Sequence, residues 1–311
     1  MLVESKRGPE PGIINETSAT MDQEQLPAPS NPLGMQGVEF IEYTTREPLA
    51  LGALLQQLGF QPVARHRSRE VMLYRQGGMN IIVDADPASV RETTRSAAPT
   101  IGAVAFRVRD AAFAHRRALE LGAWDMPTRA AAMELHIPGI HGVGDSLIYF
   151  VDRHDNLSIY DVDFVYLEGV DRTPPDIAGL HWFGLVQAVQ SDRTEAWIDF
   201  YRTLFGFEPL RRGQYFGVLP KGTLLRSPDG SFYFQLVEPP AGADFVEWNE
   251  TLLRVGLGTT DVLGAVRVLE ARGIVFVDRE PVRPSEKGAL TQIYLGGFCV
   301  ELVVSSVADA I

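Results

Sequence analysis

Four times along this chain an apolar strand signal is followed by a helical pattern and then by two or three more strand signals. The first round reads as the strand GVEFIEYTT (37–45), a helix over 48–58, and strands around QPVARHR, EVMLYRQ and MNIIVDA. The second opens with IGAVAFRV (101–108), runs through a helical DAAFAHRRALELG and closes with SLIYFVD and LSIYDVDFVYL. The third has LHWFGLVQAV (180–189), a helix over 193–204 stopped by Gly206, then GTLLRS and SFYFQLVE. The fourth runs LLRVGLGTT, a helix DVLGAVRVLEARG with its glycine at the C-terminal cap, then IVFVDR, LTQIYLG and FCVELVVS. One such round makes a curved sheet with an open apolar face, so it cannot close a core alone. Two packed edge to edge form a half-open barrel, and four form two. The expected fold class is therefore α+β, two half-open barrels built from four strand-helix-strands units, with helices outside and inward strand positions lining a cavity.

The breaks between these patterns suggest the organisation. Residues 1–33, rich in Pro, Glu, Ser and Gln and without periodicity, read as a flexible N-terminal tail. Residues 34–165 hold the first barrel and 178–311 the second; between them 166–177, YLEGVDRTPPDI, reads as a linker because two adjacent prolines and several charges follow a strong strand signal. A length of 311 residues with 45% hydrophobic and 22% charged suits two packed domains. The net charge of −12 argues against nucleic acid and against an anionic membrane surface, since the excess of Lys and Arg that neutralises phosphates is missing. The single cysteine, Cys299, excludes an intramolecular disulfide and a multi-thiolate zinc site, and it fits a reducing compartment. No signal-peptide core opens the sequence and no run of about 18 apolar residues occurs. The expectation is a soluble cytoplasmic protein whose partners are small molecules or other protein chains.

The recurring unit resembles the vicinal oxygen chelate superfamily, whose metal ligands project inward from barrel strands. More closely, NPLGMQGVEFIEYTT, HRSREVMLYRQGGMNIIV, AFRVRDAAFAHRRALELGA and SIYDVDFVYLEGVDR resemble the 4-hydroxyphenylpyruvate dioxygenase family, nearly continuously over 31–172. In the second half the likeness shrinks to HWFGLVQAV, FYRTLFGFE, SPDG, LGTTDV, LTQIYLGG and CVELV. The resemblance implies that the first barrel carries structure and subunit contacts, giving a homo-oligomer with its interface mainly on residues 36–165. It implies that the second carries chemistry: an aromatic α-keto acid, molecular oxygen, and Fe(II) held by two histidines and one carboxylate.

Carried over residue by residue, His181 matches the first histidine and Glu301 the carboxylate, which makes these two the expected metal ligands. Arg254 stands where the second histidine belongs. The six histidines are His66, His115, His136, His141, His154 and His181, so no shift of alignment supplies another imidazole in the second barrel. A guanidinium keeps its proton and offers no lone pair to a metal. Gln292 matches a glutamine that the family directs at its substrate, so Arg254 and Gln292 are the candidate catalytic residues. Cys299 stands in place of a substrate-stacking phenylalanine, and strand periodicity puts it on the face of Glu301. Gln235 and Val237 replace a proline and an asparagine. The family's chain continues past the last strand into a pocket-closing helix, whereas the sequence read here ends at Ile311 after SSVADA.

Each residue also has a plainer role open to it. His181 can be a hydrogen-bonded core histidine, Cys299 a small buried hydrophobe, and Gln292 a partner for sheet-edge backbone. Glu39 and Asp161 in the first barrel read as structural acids at inward positions, and SPDG (227–230) as a turn. For Glu301 the plainer role is neutralisation by Arg254 from a neighbouring strand, because an unpaired buried charge is costly; the expected pair leaves His181 within reach of the same carboxylate. Three functions stay open. The first is a dioxygenase-like protein acting on a small aromatic or α-keto carboxylate with an incomplete iron site. The second is a metal-independent enzyme in which Arg254 anchors a substrate carboxylate and His181 or Glu301 moves a proton. The third is a non-catalytic ligand-binding or assembly module.

Overall fold

The alternating apolar positions do form strands, and each round folds back on itself in the same way. The computed structural model describes residues 31–87, 89–90, 98–127, 134–154, 157–211, 217–218, 222–239 and 249–305. In the first round β1 (Met35–Thr44) is followed by α1 (Pro48–Gln57), β2 (Gln61–His66), β3 (Val71–Gln76) and β4 (Met79–Asp84), and β4 returns parallel to β1. In the second, β5 (Thr100–Val108), α2 (Ala111–Glu120) and β6 (Gly139–His141) lead to β7 (Leu147–Val151), parallel to β5. After α3 (Ile159–Asp163), the short β8 (Phe164–Tyr166) joins the edge beside β2. Antiparallel pairing of β1 with β5 unites both rounds in one eight-stranded sheet, β6-β7-β5-β1-β4-β3-β2-β8.

The second half repeats this plan. β9 (His181–Ala188), α4 (Thr194–Phe205), β10 (Glu208–Pro209), β11 (Thr223–Arg226) and β12 (Tyr233–Val237) form the third round. β13 (Thr251–Thr259), α5 (Val262–Glu270), β14 (Gly288–Leu290) and β15 (Val300–Val304) form the fourth. The central antiparallel pair is now β9 with β13, in the order β10-β11-β12-β9-β13-β15-β14. Local chemistry sets the helix ends. Asp110 and Asp261 accept from the backbone amides of Phe113 and Gly264, each at 2.8 Å, as N-caps, and α4 stops at Gly206 in the left-handed region.

The helices expected outside the barrels fill the joint between them. Leu51 and Leu55 of α1, Tyr201 and Leu204 of α4, and Val266 and Leu269 of α5 belong to one continuous core that includes residues of both sheets. Its centre is aromatic: Phe106 of β5 lies 5.3 Å from Phe205 and 6.4 Å from both Phe207 and Phe232, in the tilted and edge-on arrangements that ring quadrupoles favour. A smaller cluster containing Phe40, Ile82, Tyr160 and Phe164 covers part of the other face of the first sheet.

Three expectations need correction, and a fourth gains detail. The tail ends before residue 33, because Leu33 is buried in the core and the Asn31 side chain bonds both the amide and the carbonyl of Met35 at 2.7 and 2.8 Å, a local asparagine turn; residues 1–30 lie outside the described residues. LSIYDVDFVYL is not one strand: Ser158 and Asp161 form a capping box that starts α3, which leaves Asp161 exposed rather than inward. IVFVDR and LTQIYLG supply only isolated bridges, Phe276 to Thr291 and Arg279 to Val282, around the short β14. Pro281 and Pro284 remove ladder donors just where a longer pairing would need them. Lastly, the linker is docked. Buried Gln76 donates to the Leu58 carbonyl at 3.0 Å and accepts from the Ile177 amide at 3.1 Å, while Gly77 donates to the Pro174 carbonyl. Among the described residues no helix is long and apolar enough to cross a membrane.

Candidate functional site

β13 and β15 run parallel with Gly256 opposite Glu301, which puts Arg254 one diagonal step from the carboxylate on the same sheet. The two side chains meet as a fork: Nε and Nη2 of Arg254 both donate to Oε2 of Glu301 at 2.8 Å, and both residues are largely buried. The other oxygen, Oε1, accepts from the backbone amide of Val218 at 2.9 Å. Gly217 makes that approach feasible. Its backbone is left-handed (φ 76°), and a Cβ there would lie 1.9 Å from Oε1. Neither Gly217 nor Val218 was singled out in the sequence, and no local pattern marks them, because their role depends on a strand that follows more than eighty residues later.

His181 does not reach this carboxylate. It pairs with Gly258, which in turn pairs with Val303, so the imidazole sits two strand residues beyond Glu301, roughly 7 Å along the sheet at ~3.3 Å per residue. Its Nδ1 donates to the Gly179 carbonyl at 3.0 Å, and Nε2 faces Ser305 Oγ at 3.4 Å over the open space left by Gly258. Cys299 is partly buried, and burial raises its thiol pKa, with Arg254 and Glu301 as its electrostatic neighbours. The thiol is therefore protonated at neutral pH and close to the pair, as the strand alternation implied. Gln292 is exposed after β14, held through its backbone amide to the Val275 carbonyl. Glu39 is buried against Arg107 and Asn80, a structural role in the first barrel. Ser227 to Gly230 form a turn, in which Ser227 Oγ donates to Asp229 at 2.5 Å.

The cavity beside the pair is lined by Phe183, Leu224, Tyr233, Gln235, Glu301 and Val303 and measures about 20 Å³, room for roughly one water. Phe183 and Tyr233 close it by stacking at 4.7 Å. Iron of the two-histidine, one-carboxylate kind requires three convergent lone-pair donors. Here both oxygens of Glu301 are engaged, a cation stands in the third position, and among the described residues no three His, Cys, Asp or Glu side chains converge. The residues present do not fit that metal. In the first barrel the matching space is far larger, about 660 Å³, and is lined by Phe40, Glu42, Arg69, Asp84 and Tyr149 among others.

Comparison with known proteins places this geometry. The sequence model described as Hydroxyphenylpyruvate dioxygenase, HPPD, N-terminal matches residues 30–165. The 4-hydroxyphenylpyruvate dioxygenase of Pseudomonas sp. (strain P.J. 874) is 40% identical over 265 residues, covering 81% of this chain and 73% of that protein. Hemolysin VllY of Vibrio vulnificus is 37% identical over 79% of this chain and 73% of its own length. Among solved structures, a mutant of 4-hydroxymandelate synthase from Streptomyces coelicolor superposes with a TM-score of 0.66 at 18% identity, over 87% of this chain and 93% of that one, a likeness of fold. With such identity over most of both chains and the same doubled sheet plan, the protein belongs to the 4-hydroxyphenylpyruvate dioxygenase family.

Proposed function

We propose that this dioxygenase-family protein serves a small aromatic or α-keto carboxylate, and that in its second barrel Arg254, not a two-histidine iron, receives the carboxylate. The observation that carries the reading is the fork itself: the guanidinium already holds a carboxylate through Nε and Nη2 at 2.8 Å. A ligand carboxylate offers the same acceptor geometry and can replace Glu301 there. Glu301, released, is then a proton acceptor beside the bound acid. Ferrous iron is expected to bind at least about a hundredfold more weakly than at an intact site, about 3 kcal/mol.

The test is anaerobic calorimetry of the full chain with 4-hydroxyphenylpyruvate, with and without ferrous iron, paired with oxygen uptake in air. Expected is iron-independent binding that is lost in the double variant Arg254→Leu with Glu301→Leu. Binding that survives in that variant sinks the proposal. Stoichiometric iron that resists dialysis, with oxygen uptake, would return the site to conventional family chemistry.

The small second cavity favours another reading, a non-catalytic ligand-binding or assembly module. Support for assembly through residues 36–165 comes from large apolar side chains left exposed there: Leu49 at 88%, Trp124 at 78% and Leu157 at 65%. A homo-oligomer across that surface is the expected state, and sedimentation as a monomer at micromolar concentration would contradict it. The lack of disulfide-forming cysteines supports a reducing compartment, the cytoplasm.

A further inference from the structure

The large cavity of the first barrel has the make-up of a binding site. Its volume of about 660 Å³ lies in the range of small-molecule pockets. Among the described residues the lining carries six carboxylates, Glu42, Asp84, Asp86, Glu134, Asp145 and Asp163, against one arginine, Arg69, and two histidines, His66 and His141. That arginine is occupied by an ion pair with Glu134, which also accepts from Ser68 Oγ. Asp163 accepts from the Leu135 amide, and Asp84 from the amide of Asp86. Two groups stand apart. Glu42, on the central strand β1, and Tyr149, on β7, make no side-chain hydrogen bond or ion pair among the described residues, and both line the cavity. Gly102 keeps the floor open beside them, since a Cβ there would lie 2.5 Å from Thr44 Oγ1 and 3.5 Å from Glu42 Oε1. Around these polar groups the wall is apolar. Phe40 lies 6.1 Å from Tyr149, and Val71, Ile82 and Phe164 continue the surface.

We propose that this cavity binds a small organic cation, an ammonium group carried on an aromatic or apolar body, with the Glu42 and Asp84 carboxylates receiving the charge and the Phe40 and Tyr149 rings the body. Among the described residues an anion finds one arginine, Arg69, and Glu134 already engages it. A bare metal ion finds too few donors, as no three candidate ligands converge among the described residues. An ammonium on a ring satisfies both halves of the lining, by charge-assisted hydrogen bonds to the carboxylates and by cation–π contact with the rings.

The protonation state supports this. Burial, then the nearby Asp84 carboxylate, push Glu42 up to about 8, with Arg69 opposing. Burial and the same carboxylates also raise Tyr149. Around Glu42 the charged and titratable groups are thus Asp84 from β4, Arg69 from the β2–β3 turn and Tyr149 from β7. At neutral pH Glu42 holds a proton in the empty cavity, and an arriving ammonium displaces it. Affinity therefore rises with pH as that proton is lost.

The experiment is titration of the full chain with 2-phenylethylamine and with its N,N,N-trimethyl form, whose charge is independent of pH. Expected is saturable one-to-one binding that tightens about tenfold between about pH 6 and about pH 8.5. In Glu42→Gln both ligands should weaken at least tenfold and the pH dependence should vanish. That variant removes a carboxylate repelled by Asp84 and is expected to fold; Tyr149→Phe is a second variant, which should weaken the primary amine and spare the trimethyl form. Arg254→Leu with Glu301→Leu should leave amine binding unchanged, which separates this site from the carboxylate site of the second barrel. Unaltered binding in Glu42→Gln, displacement of the amine by manganese or calcium ions, preference for phenylacetate, or no binding at all would overturn the proposal.

Discussion

The two barrels share one topology and treat a buried acid in opposite ways. In the second, Glu301 is met by Arg254 and a backbone amide, and the space beside it shrinks to about 20 Å³. In the first, Glu42 makes no side-chain hydrogen bond or ion pair among the described residues, and about 660 Å³ stays open in front of it. The difference teaches that in this fold the strands define a concave face, while the pairing of the acid on it decides whether a cavity survives. A carboxylate with a guanidinium needs no solvent, so the chain can close over it. A carboxylate without one keeps its proton or keeps its water.

The sharpest way to break this comparison is to unpair the second barrel. Arg254→Ala should destabilise the fold by about 3–5 kcal/mol, because it strands a buried carboxylate, whereas Arg254→Leu combined with Glu301→Leu should cost much less. A double-mutant cycle in denaturant that gave no coupling would end the argument. A smaller effect is expected from titrating the first barrel. The folded-state pKa of Glu42 is raised, to about 8 from 4.5, so the folded chain binds the extra proton between those values. Stability should thus fall as pH rises through that window and level off above it. Glu42→Gln should flatten that slope in melts compared across pH, and an unchanged slope would show that another group is responsible. The last effect is expected at Gly217. Forcing an L side chain into its left-handed backbone should cost about 1–2 kcal/mol from the backbone alone, a Cβ 1.9 Å from Glu301 Oε1 must displace that oxygen, and the amide of Val218 should lose protection from hydrogen exchange. Full protection in Gly217→Ala would show that the bond to Glu301 does not depend on this approach.

The repeat of units was legible because strand alternation and helix caps are local. So was the absent imidazole, which needs only a count of histidines after His181. The Arg254–Glu301 pair followed from placing both on neighbouring strands. What failed were matters of register and of distant cover. His181 was expected at the same carboxylate, but its pairing with Gly258 moves it along the sheet. Gln292 lay in an alternating stretch that reads as a strand, yet nearby prolines and glycines leave it in an exposed connection. Glu42 escaped notice because, of the two acids in VEFIEYT, it looks like an ordinary half-exposed strand residue. Only the assembled barrel reveals that, among the described residues, its carboxylate makes no hydrogen bond or ion pair. The helix α3 was missed as well: LSIYDVDFVYL reads as one strand, and the capping box of Ser158 and Asp161 went unread.

The aromatic joint around Phe106 has a consequence for how such a chain can change over generations. Phe205, Phe207 and Phe232 from the second half complete the core that Phe106 begins in the first. The second barrel is therefore indispensable to the first as a wall, whatever chemistry it does or does not perform. A lineage can change the side chains that face the second cavity and keep a folded protein, but it cannot discard the half that supplies the wall. Change at the cavity is a change of tenant, and the building stands on Phe106.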